Sequence, residues 1–442
     1  MTNVGLSEHF TYRKLIRFVL PCVTMMIVTS VYCIVDGFFV SNCAGKNAFT
    51  ALNLIYPVLM ALGALGFMIG TGGSALVAFT LGEGRKERAN QIFTMLILVL
   101  TGAGAVLSMV GFIWIHPIAL ALGATPAIVE DCVIYGRILL ASNVFFMLQN
   151  SYQSFLVTAE RANMGLGITV ASGIMNIIMD FVLVYLLDLG IAGAALATAA
   201  SQMVGAVIPT IYFLRPNNRL WFTRTRLDLS ALGKACMNGA SEMMTNLSTS
   251  VVTILYNFQL MRFAGEDGVA AYGIIAYVAF IFMALFFGYA VGCNPLVGFN
   301  YGAGRKKELR NLFSKSLSIT GIAAIVITFL AVWFATPLAK MFVGYDPALC
   351  EMTAGGLKIY SLSFLLCGFN IFGSAFFTGL GNGKLSALIS FLRTLVLQIA
   401  AVLTLPEFFG MVGVWWAVVV AEALTLLVTV FLFAVNRTKY LV

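Results

Sequence analysis

Twelve apolar runs recur along this chain, at 15–41, 51–81, 91–116, 127–158, 164–187, 191–214, 231–262, 268–300, 312–336, 348–378, 385–405 and 410–435. Each holds about 20 residues or more, the length a tilted helix needs to cross about 30 Å of hydrocarbon. Strands of a membrane barrel are about ten residues long and alternate, which these runs do not. Of the 442 residues, 60% are hydrophobic and 10% charged. Soluble domains carry about 25% charged residues, so a soluble core is excluded. The runs predict an all-α integral membrane protein with twelve transmembrane helices.

The basic residues set the expected orientation. With a cytoplasmic N-terminus, that side collects Arg13, Lys14, Arg17, Arg85, Lys86, Arg88, Arg161, Arg215, Arg219, Arg224, Arg226, Lys234, Arg305, Lys306, Lys307, Arg310, Lys315, Lys384, Arg437 and Lys439. The other side collects Lys46, Arg137, Arg262, Lys340 and Lys358. That imbalance predicts both termini inside. The net charge of +8 is accounted for by these loops, so no nucleic-acid partner is expected. No cleavable leader is expected either, because 1–11 is polar and the first apolar run is too long for one. The eight cysteines (22, 33, 43, 132, 236, 293, 350 and 367) lack zinc-ligand or redox spacing and read as small packing residues.

The chain repeats itself at a shift of 220 residues. Residues 72–93 overlie 292–313 without a gap, matching Gly72/Gly292, Leu76/Leu296, Val77/Val297, Phe79/Phe299, Gly82/Gly302, Gly84/Gly304, Arg85/Arg305, Lys86/Lys306 and Phe93/Phe313. The same shift pairs Thr158 with Thr378, Gly190 with Gly410, Gly193 with Gly413 and Ala197 with Ala417. An even number of helices per copy returns the second copy in the same orientation. The expectation is two six-helix bundles related by a pseudo-two-fold axis along the membrane normal, 1–214 and 231–442, joined by a cytoplasmic linker at 215–230. Two such bundles around a cleft suit alternating access. The glycine-flanked basic turns at 82–86 and 302–306 lack the strand–turn–helix setting of a phosphate cradle and read as tight turns.

Apart from Glu130, Asp131 and Glu351 at the run ends, four acids fall within the runs, and the repeat preserves none of them. Asp36 pairs with Tyr256, Asp180 with Ala400, Glu242 with Cys22 and Glu422 with Gln202. Asn176 precedes Asp180 by one helical turn and becomes Val396 in the second copy, while Thr198 becomes Val418. Counting about 1.5 Å per residue puts Asp36, Asp180 and Thr198 at similar depth in the outer half of the membrane. Two carboxylates, an amide and a hydroxyl suit a hard cation, or the carboxylates share a proton. Glu242, Arg393 and Glu422 form a looser group in the inner half of the second bundle. An Arg393–Glu422 pair is expected, structural or functional, with Glu242 the better candidate for substrate or proton contact. The 20 Met and 36 Phe could line an adaptable cavity for organic cations.

With these residues in place, the chain resembles the multidrug and toxic compound extrusion (MATE) family in its bacterial branches, over nearly its whole length. The specific part is the set Pro21, Asp36, Asn176, Asp180 and Thr198. In the family the corresponding positions form a cation site in the N-terminal lobe, and a proline low in the first helix marks where it bends. Glu242 matches the acid found in the seventh helix of many members. The resemblance implies a secondary transporter in the bacterial cytoplasmic membrane. It would act as a monomer without cofactor, exporting cationic amphipathic compounds by antiport with Na+ or H+. If sodium is the coupling ion, Asp36, Asn176, Asp180 and Thr198 would hold it. The alternative on the same architecture is an exporter of a lipid-linked or polysaccharide precursor, which a basic cavity would suit better than four acids and one arginine. No nucleophile–base pair or pore filter is visible, which argues against an enzyme or a channel.

Overall fold

The computed structural model describes residues 5–44, 46–216, 219–344 and 346–440. Side chains at 38, 41, 42, 46, 49 and 266 lie outside that description, among them Lys46, counted above with the outer cations. The helices are α1 (Tyr12–Phe39), α2 (Lys46–Gly82), α3 (Lys86–Ala121), α4 (Val129–Thr158), α5 (Ala162–Asp180), α6 (Gly190–Leu214), α7 (Leu229–Gly302), α8 (Lys306–Trp333), α9 (Ala335–Val343), α10 (Pro347–Ser361), α11 (Phe364–Gly379), α12 (Gly383–Phe391) and α13 (Leu397–Tyr440). Three π-helical turns, Val40–Ala44, Phe181–Leu186 and Leu392–Val396, follow α1, α5 and α12. No strand occurs among the described residues.

Among the described residues nine helices are long and apolar enough to cross a membrane, or ten with α10 and α11 joined as one span bent by 46°. Two of the thirteen hold more than one crossing. Both α7 and α13 break at a glycine in the left-handed region, Gly265 (φ 62°) and Gly410 (φ 57°), which a side chain would strain. Across the first break Tyr256 stacks on Tyr272 at 4.8 Å, so the arms run back along each other. Across the second, a Cβ on Gly413 would sit 2.4 Å from the Leu405 carbonyl oxygen. Counting both arms of each gives the twelve crossings read from the sequence, in the same order. Two details differ. The apolar run 312–336 ends earlier, and α9 follows as a separate short helix with Pro337 in its first turn, where its missing N–H costs nothing. The tenth crossing is bent between α10 and α11 rather than straight.

The repeat reappears as matched backbone. Gly84 and Gly304 take φ of 77° and 67°, which closes both basic turns, and Gly190 and Gly410 take 55° and 57°. The ends of α2 and α7 cross at these turns. A Cβ on Gly82 would lie 2.1 Å from the Phe299 carbonyl oxygen, and one on Gly302 would lie 2.0 Å from that of Phe79. Phe79 and Phe299 are themselves 220 apart, so the crossing is two-fold symmetric. Further along, a Cβ on Gly239 would meet the Met68 carbonyl oxygen at 1.9 Å. Glycine is what lets the two halves touch backbone to backbone at this end, here called the basic face.

Two non-helical straps reinforce that contact. Residues 5–11 precede α1 but lie on α8. Glu308 Oε1 accepts from the Phe10 N–H at 2.9 Å, and Asn311 Nδ2 and Lys315 Nζ donate to the Phe10 carbonyl at 2.9 and 2.6 Å. The Phe10 ring is fully buried. Residues 219–228 precede α7 but lie on α3. The Thr223 N–H donates to Thr94 Oγ1 at 3.0 Å, Thr225 Oγ1 donates to the Gln91 carbonyl at 2.9 Å, Phe222 stacks on Phe93 at 5.1 Å, and Arg88 pairs with Asp228. Arg88 and Glu308 occupy equivalent places in the repeat. Each half thus sends the strap before its first helix onto the third helix of the other. Within the expected linker, residues 219–228 are accordingly a packed strap. Away from the basic face each half closes its own core. One cluster draws on Val40, Ile55, Ile115, Tyr135 and Ile191, another on Val252, Ile275, Leu357, Val414 and Trp415.

Candidate functional site

Glycines bring the first polar group together. On α5, a Cβ at Gly165 would press on Met25 Sδ at 3.1 Å and one at Gly173 on the Tyr32 ring at 3.2 Å, so α1 lies close along α5. Asp36 follows Tyr32 by one turn, and Asp180 follows Gly173 by two. Gly193 does the same for α6, its missing Cβ facing the Leu183 carbonyl at 2.9 Å, one turn before Ala197 and Thr198. The structure therefore gathers Asp36, Asn176, Asp180 and Thr198, with the Asp36 side chain facing the other three. The π turns start immediately after Asp180 and four residues after Asp36. Such turns insert an extra residue and are frequent at functional sites.

The four side chains stand close enough to interact, yet no hydrogen bond of normal geometry links them. Asp36 Oδ1, Asn176 Oδ1, both Asp180 carboxylate oxygens and Thr198 Oγ1 are buried without a partner. Asp180 is sealed from solvent and Asn176 nearly so. Buried polar atoms are normally paired, and an unanswered buried carboxylate costs several kcal/mol. Five such oxygens pointing into one place fit a small hard cation, which takes oxygen ligands of this kind, or a proton held between the carboxylates. Among the described residues no three His, Cys, Asp or Glu side chains come together, so a zinc-type seat is not formed.

The second group is arranged differently. Arg393, inside the third π turn, donates from Nε to Glu422 Oε1 at 2.7 Å, and both side chains are under 10% exposed. Glu422 Oε2 accepts from Asn370 Nδ2 at 2.8 Å, and Asn370 Oδ1 accepts from Thr429 Oγ1 at 3.0 Å. Asn370 and Thr429 were not singled out from sequence. Thr429 follows Glu422 by seven residues, two turns on the same face, and that spacing is the signal that could have found it. Glu242 is half-buried and joins neither group by a hydrogen bond, though it lies within electrostatic reach of Arg393. Pro21 lies in an unbroken α1, buried, about 22 Å along the helix from Asp36. Next to it, a Cβ on Gly288 of α7 would meet Val23 Cα at 2.5 Å. The lower part of α1 is thus clamped to the second half, while its upper part faces α5 and α6. The eight cysteines are all free thiols, five of them buried.

Comparison with known proteins follows the same outline. The MatE family model matches twice, over residues 21–182 and 243–403. The multidrug export protein MepA of Staphylococcus aureus (strain MRSA252) is 22% identical over 438 residues, covering 97% of this chain and 94% of the relative. A solved outward-facing conformation of a multidrug resistance MATE family transporter of the MOP superfamily superposes with a TM-score of 0.93 at 23% identity, covering 100% of this chain and 99% of the other. A MOP superfamily transporter from Pyrococcus furiosus, for which a reverse polarity of the binding pocket is described as suggesting a different function, superposes at 0.92 with 24% identity, 100% and 99% covered.

Proposed function

Because the chain belongs to the MATE family, whose members are membrane transporters and not enzymes, we propose that it exports cationic amphipathic compounds by antiport with Na+ or H+. The observation that carries this reading is the set of five partnerless buried oxygens on Asp36, Asn176, Asp180 and Thr198. They form a seat that is incomplete without a positively charged guest. The relative named for multidrug export supports the substrate class.

In this reading the molecule is two six-helix lobes, 1–214 and 231–442, that rock about the contact at the basic face. That face is cytoplasmic, as the excess of Lys and Arg demands. The protein works as a monomer in the bacterial cytoplasmic membrane. The four oxygen-bearing side chains hold Na+ as a transported substrate, or Asp36 and Asp180 hold a proton. Filling the seat removes the repulsion between the two carboxylates and draws α1 toward α5 and α6. Pro21 lacks the N–H that would bond one turn back, so α1 bends there most easily. Below that point Gly288 clamps the helix to α7; above it the helix follows the ion. Ion and drug exchange because each favours a different packing of α1; a ligand that bound both packings equally would shift nothing. Glu242 contacts the organic cation in the second lobe. An anionic, lipid-linked cargo is disfavoured, since Arg393, the one arginine in a span interior of the second half, is already answered by Glu422.

Reconstituted vesicles test the reading. Efflux of a lipophilic cation should respond to an imposed sodium gradient or an imposed pH gradient, and the one that drives it identifies the coupling ion. A response to neither would rule out secondary antiport.

A further inference from the structure

The first half holds a second polar place, apart from the four side chains already described. Between α4, α5 and α6 lies a cavity of about 10 Å³, room for one water or one small ion. Its lining includes Gln149, Tyr152 and Gln153 of α4, Thr169 of α5, and Gly205 with Pro209 of α6. Several of these groups are underused. Gln149 is 7% exposed and makes no hydrogen bond to a described residue. Its amide rests on Gly205, where a Cβ would meet Gln149 Oε1 at 2.8 Å. Gln153 Nε2 reaches Thr169 Oγ1 only at 3.5 Å, where a hydrogen bond is weak. Pro209 has no N–H, so the Gly205 carbonyl loses the donor that a helix supplies one turn on. Tyr152 alone is satisfied, its hydroxyl bonded to Thr210 at 3.0 Å.

The cavity is aligned with the ion seat. Thr169 lies seven residues before Asn176 on α5, and Gly205 seven residues after Thr198 on α6. Seven residues are two turns on one face, about 10 Å. Helix α5 starts and α6 ends at the straps, where Glu160 pairs with Arg219 and the Phe222 N–H donates to the Phe213 carbonyl at 2.9 Å. Both offsets therefore point from the seat toward the basic face. Midway on α5, Ser172 Oγ is buried without a partner. The repeat treats this cavity as it treats the seat. At the 220-residue shift Gln149 becomes Phe369, Gln153 becomes Gly373, Thr169 becomes Ile389, Ser172 becomes Leu392 and Pro209 becomes Thr429. Polar packing that both halves needed would have been kept in both.

We propose that this cavity is a second binding site for the transported ion, a sodium waypoint between the seat and the basic face, in which Gln149, Gln153, Thr169 and the Gly205 carbonyl offer neutral oxygens to a small hard monocation. This rests on the reading of Asp36, Asn176, Asp180 and Thr198 as the ion seat and extends it to the route by which the ion leaves. The lining carries no charge. Neutral oxygens hold an ion less tightly than the two carboxylates of the seat, and a transit site must bind strongly enough to admit the ion and weakly enough to release it. The route runs inside the first half, so it needs no room in the cleft through which the organic cation passes.

Radioactive sodium tests this on the full-length protein, as equilibrium binding in detergent and as exchange across the membrane of reconstituted vesicles. Gln149→Leu and Thr169→Val each remove an oxygen ligand and nearly keep the volume. Losing one ligand to a charged guest is worth about tenfold, so each should slow sodium exchange by about tenfold while equilibrium affinity at the seat stays within about twofold. Gln149→Glu turns the waypoint into a trap. It should raise the sodium bound per protein from about one ion to about two, slow exchange, and still bind sodium when combined with Asp36→Asn. A merely structural role would instead lower the melting midpoint and move rate and affinity together. Unchanged exchange in either folded Gln149→Leu or Thr169→Val would make the cavity a water pocket and overturn the inference. So would a loss of seat affinity as large as the loss of rate, or a single sodium site in Gln149→Glu. If Gln149→Leu does not fold, the nearly isosteric Thr169→Val decides. Efflux of a lipophilic cation driven by a pH gradient alone sinks this inference and leaves the exporter reading standing. Sodium exchange that obeys these variants, without efflux of a lipophilic cation under either gradient, sinks the exporter reading and leaves the waypoint.

Discussion

The two polar groups within the membrane differ in what they lack. In the first half, Asp36, Asn176, Asp180 and Thr198 present five buried oxygens and no counter-charge. In the second, Arg393 and Glu422 answer each other, with Asn370 and Thr429 taking up what remains. Both groups adjoin a π turn, and the charged side chains of neither have a copy at the repeat-related positions, although Asn370 is matched by Asn150. The first costs free energy until something enters it; the second is complete in itself. In the proposed reading, the group that waits for a guest is the one that holds the transported ion. The self-sufficient group fixes a shape. The contrast therefore assigns different kinds of work to the two halves of a nearly symmetric molecule.

That contrast can be broken by experiment. The largest effect is expected from Asp36→Asn, which should abolish gradient-driven efflux in vesicles while the protein still accumulates in the membrane; full efflux by this variant would remove Asp36 from the ion seat. The same substitution should leave thermal stability unchanged or raise it, because it deletes an unanswered buried charge. Glu422→Gln should do the reverse and lower unfolding stability by about 3–5 kcal/mol, since Arg393 loses its partner, with much of the loss recovered by adding Arg393→Gln. Equal responses at the two sites would erase the distinction between them. Next comes the contact both halves share. Gly82→Ala or Gly302→Ala would drive a Cβ into a carbonyl oxygen about 2 Å away and should cost about 1–3 kcal/mol, read as a lowered melting midpoint and a shifted cross-linking pattern between α2 and α7.

The smallest effect concerns the strap on α3. Hydrogen bonds from the Ala231 and Ser230 N–H groups, together with Arg88, hold the Asp228 carboxyl below its usual range. A lowered value means the folded form prefers the charged carboxylate. The stabilisation is present above the ordinary aspartate range and is lost as pH falls below about 4. Hydrogen exchange of the 219–228 amides should accelerate there, and at neutral pH in Asp228→Ala. Protection that ignores pH would show the strap to be held by Phe222 and Leu220 packing alone.

Much of this was legible because lipid is an unforgiving solvent. Runs of about 20 apolar residues have one main use, and the twelve of them appear as twelve crossings. Gly84 and Gly304, matched in sequence, are matched in φ. Asp36, Asn176, Asp180 and Thr198 were found by depth and by their absence from the second copy, since a charge in a span needs a reason. The α10–α11 bend, the separate α9 and the straps were not legible. A bend within an apolar run leaves its hydropathy unchanged, and a polar strap has the composition of a loop whether or not it is packed. Asn370 was not legible for another reason: Asn150 matches it at the 220-residue shift, so a search for residues missing from one copy passes over it.

The sequence by itself determined the number of crossings, the duplication and the residues that do not obey it, because hydrophobic length and internal comparison are properties of a linear string. It also determined that Arg393 required an acid. The sequence pointed to Glu422 as that acid; only the tertiary structure decided the geometry of the pair, with Nε on Oε1 at 2.7 Å and Asn370, oriented by Thr429, holding the other carboxylate oxygen. Tertiary structure likewise decided that the first-half oxygens go unanswered, since a hydrogen-bond deficit exists only once every neighbour is in place. And it decided that each half is strapped to the other, because the contacts join segments about 300 residues apart in one strap and about 130 in the other, whose pairing no local pattern records.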